Sequence, residues 1–299
     1  MKTNKLFVLV SFITLLVSRT YGQQTEPALA RVLYDFTHIN DTLQPDKPHK
    51  EEMVLYIGKQ ASLYGTYTIE RRDQLIKKQM DDPAFDGNLT ITGSAHATNE
   101  SYYARPADHI FKQVNRLAGD SYVLEAAYPA IDWQLTAETK TIGGYQVQQA
   151  TCHFKGRDYT AWFTTEIPFQ SGPWKLLGLP GLVLEATDSR NEVAFHYAGF
   201  ETLTKGDATV ALPENAITAT QKEFDRLTDA FHKNRQAFMD ARAQDRAQHS
   251  GSAATLNGKP LMDPSRIKSI NVVKDDSQTS ATTNNPLERE EQKVMGDHR

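Results

Sequence analysis

Residues 161–185 read AWFTTEIPFQSGPWKLLGLPGLVLE, and the fold turns on how this stretch is understood. It opens inside a run, Tyr159 to Thr165, with the residue types of a β-strand. The run stops at Glu166-Ile167-Pro168, because proline cannot donate to a β-ladder. Gly172-Pro173 marks a further turn. Leu179-Pro180-Gly181-Leu182 places Pro before Gly, the order of a type II turn in which the glycine takes a positive φ. Leu182-Val183-Leu184 then starts the next strand. Two neighbouring strands are therefore joined by about 15 residues, longer than ordinary hairpin loops and of a length that is often functional. The connection reads either as a lid folded over one end of a sheet or as a binding loop. The candidate binding residues are Trp162, Glu166, Pro168, Phe169, Gly172, Pro173, Trp174, Gly178, Leu179, Pro180, Gly181 and Leu182.

Working outward, strands dominate. Trp133 to Thr136, Gly144 to Phe154, Asp158 to Thr165, Leu182 to Thr187 and Val193 to Phe200 follow in close succession, as an antiparallel meander requires. Gly143-Gly144 and Gly156-Arg157 supply short links. Upstream, Val32, Tyr34 and Phe36 alternate with Leu33, Asp35 and Thr37, the period of a half-buried strand. Met53 to Ile57, Ser62 to Ile69, Leu89 to Ile91 and Tyr122 to Leu124 are further candidates, and the polar stretch Gly93 to Asp108 reads as loop. One helix stands out near 220–243. Thr220 and Glu223 form a capping box, and Phe224, Leu227, Phe231 and Phe238 recur at helical spacing. The expected fold is mainly β (α+β): a curled antiparallel sheet or half-barrel, one covering C-terminal amphipathic helix, and an extended tail.

The ends differ from this body. Lys2 and Lys5 precede an apolar run from Leu6 to Val17, followed by Ser18 to Gly22, which is the order of a secretory signal. That run is too short to cross a bilayer, which needs about 20 residues. The expectation is a signal over 1–22, a β domain over 23–246 and a polar, largely disordered tail over 247–299, where large apolar residues are few. Ile267 to Val273 is one possible late strand. No segment of the mature chain reads as transmembrane, and localisation is expected to be periplasmic or secreted after cleavage near Gly22.

Loss of the signal removes Lys2, Lys5 and Arg19 and takes the net charge from −4 to about −7. A mildly acidic chain argues against nucleic acid, whose binding requires a concentrated basic face. Cys152 is the only cysteine. No internal disulfide is possible, and the residue reads as a buried apolar one sharing a face with Gln148, Ala150 and Phe154. Nucleophile-elbow, zinc-helix and phosphate-loop motifs are missing. The nine histidines are scattered, with no two at ligand spacing on one element. Neither a cofactor nor a metal site is expected.

The quoted stretch resembles the GLPGLI family on Gly178, Leu179, Pro180, Gly181 and Leu182, with Val183 in place of the final Ile. Ala161 to Thr164, Glu166-Ile167-Pro168, Gly172-Pro173, Ile142 to Tyr145, Gly156-Arg157 and the distal Asn284-Asn285-Pro286-Leu287 are also similar to that family, whereas Glu288-Arg289 departs from it. The resemblance implies an exported protein of Gram-negative bacteria with a shared β core. It implies no activity and supplies no catalytic residue. Three functional expectations follow. The first is a non-enzymatic envelope module holding a lipid, peptide or protein partner, with Trp162, Phe169 and Trp174 near the mouth of its concavity. The second is a hydrolase or metal-dependent enzyme using Glu166, Cys152 or dispersed histidines. The third is a scaffold that binds through residues 247–299.

Overall fold

A computed structural model describes residues 25–93, 97–241, 266–274 and 283–289. The expected signal lies outside the described residues, as do most of the tail and the end of the expected helix. The strands of the first half are β1 (Glu26–Pro27), β2 (Ala30–His38), β3 (His49–Ile57), β4 (Ser62–Thr66), β5 (Asn88–Gly93), β6 (Glu100–Arg105), β7 (Ile110–Leu117) and β8 (Asp120–Glu125). A helix, α1 (Thr68–Asp81), separates β4 from β5. The second half holds β9 (Gln134–Ile142), β10 (Tyr145–Phe154), β11 (Arg157–Thr164), β12 (Leu182–Asp188), β13 (Val193–Thr202), β14 (Thr209–Val210) and β15 (Ile217–Ala219). Helix α2 (Gln221–Lys233) and β16 (Ser269–Lys274) follow.

Twelve strands form one sheet in the order β15-β8-β7-β6-β4-β3-β2-β13-β12-β11-β10-β9. All neighbours in it are antiparallel except β15 with β8. The sheet is two meanders joined where β13 pairs with β2, and it does not close: β9 and β15 are its two edges. Tight turns make the meanders possible. At the β9–β10 link both Gly143 and Gly144 have positive φ, and at the β10–β11 link Lys155 and Gly156 do. These are type I′ turns, whose twist matches that of the strands they join.

The sheet curls. Tyr64 on β4 and Phe195 on β13 lie three strands apart, about 14 Å along a flat sheet, yet their ring centroids are 6.5 Å apart. The inner face of the curl carries every second residue of β2 (Val32, Tyr34, Phe36) and of β11 (Tyr159, Ala161, Phe163), all buried. Outside this sheet, β5 and β16 pair in a separate two-stranded sheet, and α1 packs Ile76 and Met80 against Leu89 of β5. Helix α2 starts at the capping box read from the sequence, with Thr220 and Glu223 bonding reciprocally. Its aromatic stripe covers Leu117, Tyr122 and Leu124 at one margin of the sheet.

Three readings need correction. Ser62 to Ile69 is not one strand, because β4 stops at Thr66 and α1 begins at Thr68. Among the described side chains of that helix Ile76 and Met80 are buried, too few apolar positions for a stripe visible in sequence. The stretch 93–108 holds β6, whose Tyr102 and Ala104 point into the core beside Phe111 of β7. Gly181 does not take a positive φ; Gly178 does. A Cβ at Gly181 would instead collide with the Thr164 carbonyl, so close backbone approach is what demands glycine there.

Candidate functional site

The 166–181 connection fills the concavity rather than standing at its mouth. Ile167, Trp174, Leu176, Leu177 and Leu179 belong to the main core with Leu182 and Val183. Trp174 is 3% exposed and stacks on Phe195 at 6.5 Å. Its backbone sits at φ +54, a left-handed position rare for a bulky residue. Trp133 Nε1 donates to Leu177 O at 2.9 Å and closes the loop from outside. Gly172 and Pro173 are buried, and a Cβ at Gly172 would strike Leu176 O. The expectation that Trp174 lines an open mouth is therefore corrected: burial of its large ring is worth more than exposing it.

Other candidate residues lie apart from one another. Trp162 points to the outer face under Lys140, whose Nζ is 4.4 Å from the ring centroid. Glu166 accepts a bond from Gln146 N at 2.8 Å. Pro180 is exposed. The start of the connection, Pro168 to Ser171, borders a cavity of about 690 Å³, where it meets the β3–β4 turn (Gly58 to Ala61) and the short turn Pro106–Asp108.

The cavity wall is built by local chemistry. Glu26 Oε1 accepts from Gln60 N at 3.0 Å and Ala61 N at 2.7 Å, and so pins the β3–β4 turn. Arg105 donates to Gln60 Oε1 at 2.8 Å and pairs with Asp108 at 2.9 Å. Ser171 Oγ donates to Ser62 Oγ at 3.2 Å, tying the connection to β4. Ile57, Pro106, Ala107, Pro168 and Phe169 give the wall an apolar part. Lys59, Gln60, Arg105, Asp108 and Gln170 give it a charged and polar part.

Of the residues named for the enzyme reading, Cys152 and His153 line a second cavity of about 410 Å³ together with Asp158. Cys152 is buried and burial pushes its thiol up to about 12, so it is not a thiolate at neutral pH. His38 and His49 face each other across β2 and β3, a pairing that the sequence alone does not show. Burial, with Arg157 nearby, lowers His38 to about 4. His49 bonds Glu51, 3.1 Å away. Burial alone would raise the Glu51 carboxyl, but bonds from His49, Thr66 and Thr98 hold it below the usual range. No group of three or more His, Cys, Asp or Glu suited to a metal occurs among the described residues. No helix among them is long and apolar enough to cross a membrane, which says nothing of strands.

A second feature has no local signature in the sequence. At the opposite end of the curl the guanidinium of Arg157 is fully buried. It donates to Asp188 at 2.6 Å, Glu192 at 3.0 Å, Asn285 Oδ1 at 2.7 Å, Pro286 O at 2.8 Å and Leu287 O at 3.0 Å. Lone Arg, Asp and Asn residues spread over 128 positions carry no local signal. The only hint is that two of the segments resembling one family, Gly156-Arg157 and Asn284 to Leu287, both contribute.

Residues 153–185 match the model of a family described as a protein of unknown function, Porph_ging. The match covers the end of β10, all of β11, the connection and the start of β12, the stretch on which the sequence resembles the GLPGLI family; the matched family carries a different name. No curated protein matches the chain. Solved structures similar to it include two of PNGF-II. PNGF-II in the P21 space group aligns with a TM-score of 0.44 and 15% identity. PNGF-II in the C2 space group aligns with a TM-score of 0.45 and 14% identity. Each alignment covers 68% of this chain and 32% of the other, so the chain spans about a third of the length of these structures.

Proposed function

We propose that the protein is an exported, non-catalytic module of the cell envelope that binds a peptide segment of a partner in the cavity beside Phe169. The observation that carries this reading is the cavity itself. Its volume lies in the range of ligand sites, and it is walled in part by the start of the long connection, Pro168 to Ser171. Half of its lining residues are polar or charged, which disfavours a lipid chain, whose burial requires an almost wholly apolar wall. Apolar side chains rest against Ile57, Pro106, Pro168 and Phe169, while an acidic neighbour meets Lys59. The apolar run with basic flank at residues 2–22 supports export.

The experiment is selection of a displayed random-peptide library on the immobilised mature protein, followed by titration of the enriched peptides. Enrichment of apolar-acidic pairs, with binding lost in Phe169→Ala and Ala107→Trp chains of unchanged melting temperature, supports the reading. Equal binding by wild type and both variants overturns it. N-terminal sequencing of the protein recovered from its host checks export: a chain beginning at Met1 contradicts it.

A further inference from the structure

We infer that the Arg157 end of the sheet is a peptide-recognition seat, and that residues 284–289 are its ligand, bound in cis and displaceable by a peptide of the same pattern. The segment Asn-Asn-Pro-Leu-Glu-Arg has no helix or strand of its own. It is held instead from four places: the β2–β3 loop, the β10–β11 turn, Glu192 of the β12–β13 turn and Lys175 of the connection. Asn284 and Asn285 both donate their amides to Asn40 O, at 2.9 and 3.1 Å. The Asn285 side chain, in a residue 2% exposed, donates to Ile39 O at 2.7 Å and accepts from Arg157. Arg157 also reads the carbonyls of Pro286 and Leu287. Glu288 lies between Lys155, 3.0 Å away, and Lys175. Arg289 N donates to Lys155 O at 3.0 Å.

Two features mark this as recognition rather than ordinary core packing. First, Leu287 is the one apolar anchor and the remaining contacts are polar, which is the make-up of an interface and not of an interior. Second, acidic groups of the seat are also held by bonds from outside the segment. Asp188 Oδ1 is fixed by Glu192 N at 2.7 Å and Val193 N at 3.0 Å, and Asp41 Oδ1 by Leu43 N at 3.0 Å. Gly156 is open toward the segment: a Cβ there would strike Arg289. The partner such a seat fits is an extended peptide with Asn, then Pro, an apolar residue and an acid. The chain's own copy is favoured because it is covalently joined to the seat, so its binding is intramolecular.

Two measurements on the full chain test this. A labelled peptide of residues 283–289 is titrated against wild type and Asn285→Ala. The expected result is binding at least tenfold tighter to the variant, whose own segment no longer competes, and none by a peptide carrying the same change. A folded variant that does not take up the peptide overturns the inference. If the variant does not fold, hydrogen exchange on wild type decides. The amides of Asn284, Asn285 and Arg289 are expected to exchange at least tenfold faster than those of β11, through local release of the segment. Equal protection overturns the inference, because the segment then opens only with the whole domain.

Discussion

Replacing Arg157 by Met is the sharpest test of what holds the second end of the sheet. Met keeps most of the stem volume and removes the charge with all five donors. Asp188 and Glu192 then lose a buried counter-ion, and Asn285 Oδ1 and the carbonyls of Pro286 and Leu287 lose a donor. Breaking one side of a buried ion pair costs about 3–5 kcal/mol. Asp188 retains the amides of Glu192 and Val193, and Glu192 retains Arg289, which sets the expectation near the lower bound, about 3 kcal/mol. Against a total stability of about 5–15 kcal/mol this is a large fraction. With a urea slope of about 3 kcal/mol/M the midpoint falls by about 1 M at unchanged slope. The same variant carries a second readout. Arg157 helps to hold His38 near 4, so His38 followed by NMR titrates at higher pH once the charge is gone. A midpoint within about 0.2 M of wild type, or an unmoved His38, refutes the reasoning.

Two further expectations rest on other parts of the molecule. Acidification destabilises the fold: His38, lowered from 6.5 to about 4, leaves the unfolded chain to take the proton first, so stability is lost as pH falls from 6.5 toward 4, by up to about 3 kcal/mol. Glu51, Glu192 and Glu288, all held below the usual carboxylate range, extend the loss to lower pH, and a melting temperature that is flat between pH 7.5 and 4.5 contradicts this. Gly181→Ala costs about 1–3 kcal/mol, because the methyl meets the Thr164 backbone and not a movable side chain. Gly144→Ala meets open space and pays only for its φ of +91, about 1 kcal/mol; denaturation midpoints ranking Gly144→Ala as the costlier change dispose of the close-approach argument.

The second meander was legible because its signals are local. Period-two burial in β11, two-residue turns at Gly143-Gly144 and Lys155-Gly156, and the capping box of α2 each need only neighbouring residues to be read. Helix α1 was not legible, since the two buried side chains described in it, Ile76 and Met80, make no stripe. Strand β6 was hidden by its polar surroundings, although Tyr102 and Ala104 point into the core. In the connection, the sequence identified an unusual segment but not which of its residues face inward. Trp174 reads equally well as a binding ring or a core ring until the curl of the sheet is known.

By itself, then, the sequence determined the mainly β class, the order of the second meander, the capped helix and the singular connection from Glu166 to Gly181. These follow from period, turn chemistry and capping, all of which act over a few residues. Only the tertiary structure decided that this connection is the filling of a curled sheet, that its first residues border a cavity, and that Arg157 and Asn285 meet across 128 positions. Those outcomes depend on how twelve strands bend as one surface. The free energy of burying Trp174 or pairing Arg157 is set by groups that the chain brings together only once it has folded.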